Sequence, residues 1–331
     1  MIEICWNPPA TVRDGFAKAI SKPKEERMPR VRGGSVLRTD TGAFWYCDGD
    51  WRLKGFENAY PAVLAYVPCE DVAVDSEKFK TLLIDGRTYI KVYGQPLPVY
   101  REILRSSQPA AFYSTALGKG VYVKQSRITE ARDPLAFAEQ FLPAMERERA
   151  TFQSLADVLH VPLKSIGISG STLVLGRPER RHEIDVVFYG RSACRRIARL
   201  IERNRDDVVF SRVSLPPFHL PFQHHGIWFD PQFSEGDRER HPLDGASIRI
   251  VRRFGETTVR IKDDRDGVFF PALYGTTNRR RLISFRLGHR GFFRRGDTVV
   301  FPSLSLIRMT YANGQLETAY GILNDEWGEK R

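Results

Sequence analysis

Residues 165–190, SIGISGSTLVLGRPERRHEIDVVFYG, set the plan of the chain. They read as strand, tight turn, short helix, loop and strand. Ile166 to Ser169 is short and largely apolar, as a buried strand end is. Gly170-Ser171-Thr172 is a turn that can open a helix, and its small residues let a phosphate approach the backbone amides. Glu183 to Tyr189 alternates as a strand does, so Glu183 and Asp185 point to one face. Two carboxylates side by side repel each other and resist desolvation. A divalent cation removes that cost. Hard oxygen ligands beside a phosphate turn suit magnesium held between carboxylates and a nucleoside triphosphate.

Here the chain resembles the nucleotidyltransferase superfamily of DNA polymerase beta type. That family's signature is a hydrophobic residue, Gly-Ser or Gly-Gly, a spacer, and an acidic pair flanking one apolar residue. Ser169 takes the place that is usually apolar, Gly170-Ser171 is the turn and Glu183-Ile184-Asp185 the pair, with eleven residues between Ser171 and Glu183. The first acid, usually Asp, is Glu183, which moves its oxygens by one methylene. The competing reading is a buried Gly-Ser turn beside an unrelated acidic strand edge. Two other glycine motifs fail. A Walker phosphate loop needs four residues between its glycines and then Lys, but five lie between Gly170 and Gly176, and Arg177-Pro178 follows. A hydrolase elbow needs Gly-x-Ser-x-Gly, and Gly167 to Ser171 lacks the last glycine.

The acidic pair sits in a basic chain. The 331 residues carry a formal charge of +11, which favours an anionic partner, nucleic acid above all, although solubility alone is the plainer reading. Length allows two or three domains, and 42% hydrophobic residues mark a globular protein. Cys5, Cys47, Cys69 and Cys194 form no metal pattern and fit a reducing cytoplasm. No signal peptide and no membrane helix are expected, hence no membrane partner.

Residues 1–130 are expected to form a β-rich domain. Residues 21–32 read as a basic loop, and 42–47, 51–56, 62–67, 81–84 and 88–92 as strands, with Asp85-Gly86 a hairpin turn. Trp45, Tyr46, Trp51 and Phe56 suit a small β core better than a base-stacking platform. Residues 60–68 and 86–93, like 263–272 further on, resemble a subgroup of archaeal-type stand-alone nucleotidyltransferases.

Residues 131–245 are expected to be the catalytic α/β domain. Asp133-Pro134 starts a helix that Pro143 divides and that ends near His160. Ser192 is expected to cap the next helix, with Ala193, Ile197, Leu200 and Ile201 as its apolar face and Arg195, Arg196 and Arg199 on the rest. Gly226 to Asp230 reads as a strand ending in an acid, with Pro231 placing it at an edge or stopping it. Asp230 is the candidate third carboxylate. A strand-end or turn aspartate is the competing reading, and Asp263 or Asp264 would be next. His219, His224 and His225 lack the spacing of a zinc site.

Residues 246–331 turn β again at 247–251, 257–262, 268–270, 282–285, 298–301, 304–311 and 316–322, with Asn313-Gly314 marking a hairpin. This spacing suggests a small barrel. Asn278-Arg279-Arg280-Arg281, His289-Arg290 and Arg294-Arg295 interleave base with aromatic, as a single-strand-binding surface does, with basic loops on an ordinary barrel as the competing reading.

The expectation is an α+β protein: a central α/β domain with a mixed sheet, flanked by an N-terminal β domain and a C-terminal barrel. The resemblance implies transfer of a nucleoside monophosphate from a nucleoside triphosphate, such as ATP, to a hydroxyl, releasing pyrophosphate. Glu183, Asp185 and Asp230 would hold two magnesium ions, with manganese as the alternative. Gly170, Ser171, Thr172 and Arg177 would contact the nucleotide. Arg195, Arg196, Arg199, Arg279, Arg280 and Arg281 would contact a nucleic acid 3′ end, RNA rather than DNA. The alternatives are nucleotidylation of a protein or small molecule, and a non-catalytic nucleic-acid binder.

Overall fold

The computed structural model describes residues 30–72, 79–109, 121–177, 183–203, 220–237, 239–323 and 329–330. Three sheets and five helices organise them. Most of the basic 21–32 segment, Cys5 and His219 lie outside the described residues.

The first sheet holds β1 (Val36–Thr39), β2 (Phe44–Cys47), β3 (Ala59–Pro68), β4 (Thr81–Ile84), β5 (Arg87–Lys91), β6 (Tyr122–Lys124) and β7 (Ile128–Arg132), in the order β4-β5-β3-β2-β1-β7, with β6 on β3. Helix α1 (Leu97–Ser107) follows β5. Asp85 and Gly86 both take left-handed backbone, φ 51° and 79°, and place Ile84 opposite Arg87, as a two-residue hairpin requires. The strand expected at 51–56 does not form. Its backbone groups bond elsewhere: the Arg52 amide donates to Asp244 Oδ1 (2.9 Å) and the Lys54 amide to the Ala246 carbonyl (2.9 Å).

Both faces of this sheet are covered, because its strands alternate two buried sets. Trp45, Cys47, Ile90 and Val92 enter one core. Phe44 and Tyr89 enter another, together with Leu173 and Val174. The second face therefore lies against the central part of the chain.

The central sheet is mixed. It runs β10 (Phe222–His224), β11 (Ile227–Ser234), β9 (Glu183–Tyr189), β8 (Ile166–Ile168), with β11 parallel to β9 and the other pairs antiparallel. Its helices are α2 (Pro134–Phe141), α3 (Glu146–Leu159), α4 (Gly170–Leu175) and α5 (Arg191–Arg203). Asp133 Oδ1 caps α2, accepting from the Leu135 and Ala136 amides at 2.8 and 3.1 Å. A 3-10 turn containing Pro143 separates α2 from α3, as the missing proline N–H demands. Helix α5 starts one residue before the expected Ser192 cap: the Cys194 amide donates to the Gly190 carbonyl, and Glu239 accepts the Arg191 amide at 2.6 Å. Its buried residues are Cys194, Ile197, Ala198 and Ile201, since a thiol packs as a small hydrophobe.

Strand β11 does not stop at Pro231. Strand β10 pairs only with Ile227 to Phe229, so one flank of β11 is open where the proline needs no partner. On the other flank, β9 continues in register to Ser234.

The third sheet corrects the expected barrel. Strands β12 (Ser247–Phe254), β13 (Thr257–Asp266), β14 (Ala272–Thr276), β15 (Arg281–Ser284), β16 (Thr298–Phe301), β17 (Leu304–Thr310), β18 (Leu316–Ile322) and β19 (Glu329–Lys330) run in the order β12-β17-β18-β15-β14-β13-β16-β19. Strands β12 and β19 remain unpaired edges, so no barrel closes among the described residues. Strand β13 bends instead: Thr257 to Arg260 pair with β16, and Ile261 to Asp266 pair with β14 across two register shifts. Residues 268–270 are a turn, and Val268 and Phe269 insert into the central core.

Buried clusters cross the boundaries expected at 130 and 245. Trp51, Leu53 and Tyr122 pack with Leu243, Leu273, Ile283 and Ile307, while β7 carries the first sheet through residue 132. Cys47, Cys69 and Cys194 are free thiols. Among the described residues no helix is long and apolar enough to cross a membrane.

Candidate active site

The parallel pairing of β9 and β11 sets Asp230 directly opposite Asp185, and Trp228 opposite Glu183. Registered residues on neighbouring strands point to the same face about 4.8 Å apart. Asp185 and Asp230 are therefore side by side, and Glu183, two residues back on β9, shares their face. A cavity of about 180 Å³ opens there, walled by Ser169, Gly170, Ser171 and the three carboxylates.

The turn before α4 holds Asp185 from below. Gly170 has φ +59°, and a Cβ on it would overlap the Asp185 carboxylate and stand 2.8 Å from Asp185 Cβ. Only glycine lets the backbone pass so close. The Ser169 amide donates to the Asp185 carbonyl at 2.9 Å, and the Ser171 amide donates to the Asp185 carboxylate. Ser169, polar where the superfamily pattern is apolar, is buried and donates from Oγ to the Gly34 carbonyl at 2.6 Å. Tyr189 Oη reaches the neighbouring Gly33 carbonyl at 2.8 Å. The loop ahead of β1 is thus fastened to the Gly170 turn and to β9.

The electrostatics follow from crowding acids in a recess. Burial, then Asp230 and Glu183, push the Asp185 carboxyl far above the usual carboxylate range, to about 7, while Lys91 and the Ser171 amide oppose the rise. Burial also raises Asp230, against the pull of Arg290. A third buried acid, Asp48, is pushed to about 7 by burial, with Arg290 again opposing. Carboxylates without a cation between them repel, and among the described residues no three His, Cys, Asp or Glu side chains converge closely enough to hold a metal ion. The donor chemistry nonetheless fits a divalent cation. Glu183, Asp185 and Asp230 offer oxygen alone, from two fixed strands, in a recess whose acids outnumber its cations Lys91 and Arg290.

The cavity has walls that sequence reasoning did not assign to it. Tyr46 and Asp48 come from β2 and its end, Lys91 and Tyr93 from β5 and its end, and Arg290 from the third sheet's side. The signal was present in the alternation of FWYCD and TYIKVY, where Phe44, Tyr46 and Asp48 form one set and Tyr89, Lys91 and Tyr93 another. A set that mixes aromatics with a charge marks a face covered by something polar.

Other expected residues lie elsewhere. Thr172 is buried beneath the turn, away from the cavity wall, and Arg177 is exposed beyond α4. Asp263 pairs with Arg265 at 2.5 Å and Asp264 accepts the Arg295 amide at 3.2 Å, so neither joins the carboxylates. Arg195 pairs with Asp266 at 2.5 Å, and Arg196 donates to the His160 carbonyl at 3.0 Å. Arg281 binds Glu317 and Tyr311, and Arg280 lies over the Tyr320 ring at 5.6 Å. Arg199 and Arg279 are exposed. His224 and His225 both reach Ser154 Oγ, at 3.1 and 3.0 Å.

Compared with models of protein families, with curated proteins and with solved structures, the chain matches none.

Proposed function

We propose that the chain is a metal-dependent nucleotidyltransferase. The observation that carries this reading is the register of β9 and β11, which sets Asp230 beside Asp185 above the Gly170 turn. In the reaction, an acceptor hydroxyl oxygen attacks the α-phosphorus of a nucleoside triphosphate. A new phosphate ester forms, the bond to the β-phosphate's bridging oxygen breaks, pyrophosphate leaves, and the hydroxyl proton passes to solvent. Magnesium held by Glu183, Asp185 and Asp230 would neutralise the phosphates and lower the pKa of the attacking hydroxyl. The chain's own part is positional. Gly170 and the Ser171 amide fix Asp185, β11 fixes Asp230, and Lys91 tempers the carboxylate charge.

Asp230 tests the division of labour. Asp230→Ala should still bind a nucleoside triphosphate with magnesium, because Glu183 and Asp185 remain. It should lose transfer by about a hundred-fold or more, since one metal ligand at the attacking hydroxyl is gone. Equilibrium binding measured beside a transfer assay checks this, and a wild-type transfer rate would move the role to another residue.

The acceptor we infer is a polynucleotide, supported by the charge of +11. With Arg195 and Arg281 committed to acids, a second basic surface is the better candidate for its backbone. Arg249 on β12 lies opposite Arg308 on β17, both exposed, and Arg252 and Arg253 are exposed further along β12. Like charges facing each other across strands destabilise a sheet, and a phosphate backbone relieves them. Arg249→Ala with Arg308→Ala should weaken RNA binding and reduce the salt slope by about 0.7 log units per lost contact. Titration with single-stranded RNA at two salt concentrations measures both, and an unchanged slope would remove this surface from the interface.

A further inference from the structure

Resting on the nucleotidyltransferase reading, the cavity's outer walls point to how the nucleotide itself is held. We propose that Arg290 is the phosphate-binding cation of the nucleotide site, and that Tyr93 presents the face on which the base stacks.

Three observations carry the phosphate half. The turn's own donor is taken, because the Ser171 amide is given to Asp185. Helix α4 is only six residues long, so it has little dipole to offer an anion. Arg290, by contrast, lines the cavity with a buried Nε that has no hydrogen-bond partner. A buried guanidinium N–H left unmade is costly, and a ligand oxygen removes the cost. Asp48 and Asp230 feel its charge, so it stands among the acids.

Its backbone is held firmly. The 3-10 turn Leu287–His289 precedes it, His289 Nδ1 and Ser284 Oγ bond at 2.9 Å, and the Gly291 amide donates to the Gly267 carbonyl at 2.6 Å. The residue is thus delivered from the third sheet's side to the rim of a site built on the second. Four carboxylates against Lys91 and Arg290 leave the cavity negative, so the phosphates enter with divalent ions and need a fixed cation to orient them.

Tyr93 carries the base half. It is 36% exposed, and among the exposed large hydrophobic residues Leu83, Tyr93, Val251 and Leu316 it is the one that lines the cavity. Tyr46 props it edge-on, with centroids 5.3 Å apart and planes at 76°. That contact occupies one side of the pair and fixes the ring's orientation. A partly exposed aromatic ring on the cavity wall, its orientation set by Tyr46, suits a flat base and tolerates any of the four.

Equilibrium binding tests both halves, using each of the four ribonucleoside triphosphates and inorganic tripolyphosphate, all with magnesium. Arg290→Gln should weaken triphosphate and tripolyphosphate alike by about ten- to a hundred-fold. Tyr93→Ala should weaken the nucleotides by about ten-fold and leave tripolyphosphate unchanged, with Tyr93→Phe close to wild type. Arg290→Met, which keeps the packed stem, serves as the second variant should Arg290→Gln not fold. Wild-type binding by a folded Arg290 variant, or equal loss of both ligands in Tyr93→Ala, overturns the proposal while leaving the transferase reading intact. If the unaltered protein binds none of the triphosphates, both fall together.

Discussion

Asp185→Asn is expected to lower nucleotidyl transfer by about three powers of ten or more, about 4 kcal/mol of transition-state stabilisation, and to leave the protein folded. Asp185 is the acid at the centre of the site: Asp230 lies opposite it, Glu183 shares its strand face, and the Ser171 amide and Gly170 backbone hold it from below. Asparagine keeps the shape and still accepts the amide, so the change removes charge without removing packing. The fold control has a definite sign. The folded pKa of Asp185 is raised from 3.8 to about 7, so its contribution to stability is fully present below pH 4 and is lost as pH rises to 7. Without divalent cations, Asp185→Asn should therefore melt higher than the unaltered protein at pH 8, and the gap should close towards pH 4. Near-normal transfer by the folded variant would end the assignment, and equal melting at both pH values would mean that the carboxylate is not strained as described.

Gly170→Ala should be the most damaging change of a single methyl group. The added Cβ overlaps the Asp185 carboxylate and adopts φ +59°, where an L side chain costs about 1–2 kcal/mol. Asp185 Cβ, 2.8 Å away, belongs to a strand and cannot retreat. Transfer should fall by about a hundred-fold or more as the carboxylate is displaced. Gly314→Ala, at φ +82° with nothing within 4 Å, imposes backbone strain alone and should spare transfer. Thermal melts of the two variants beside their transfer rates separate strain from displacement. Equal transfer in both would show that the close approach at Gly170 has no bearing on Asp185.

The parts of this site that could be read in the chain are local ones. Strand β9 begins and ends where the alternation of Glu183 to Tyr189 does, and the Asp85-Gly86 hairpin follows from two residues tolerant of left-handed backbone. Asp230 was legible as a strand residue, but it read as the end of a strand that in fact continues to Ser234, because tolerance of Pro231 depends on where β10 stops. Long-range placement was hidden. Nothing near Tyr46, Asp48, Lys91 or Tyr93 in sequence says that their face of the first sheet meets Asp185, more than ninety residues away. Arg290 read as part of a basic, aromatic surface, because its neighbours in sequence are Phe292, Arg294 and Arg295. The barrel failed for a related reason: evenly spaced short strands describe an open, bent sheet as well as a closed one, and the register shifts in β13 are not written in its hydrophobic pattern.

The most direct measurement follows the α-phosphorus. The protein is incubated with magnesium, single-stranded RNA and each ribonucleoside triphosphate labelled at that position, and both label in the acceptor and free pyrophosphate are counted. The account predicts equal amounts of the two with the unaltered protein, and neither with Asp185→Asn. Transfer that Asp185→Asn retains, or no transfer of the α-phosphorus to any acceptor in RNA or in whole lysate, would contradict it.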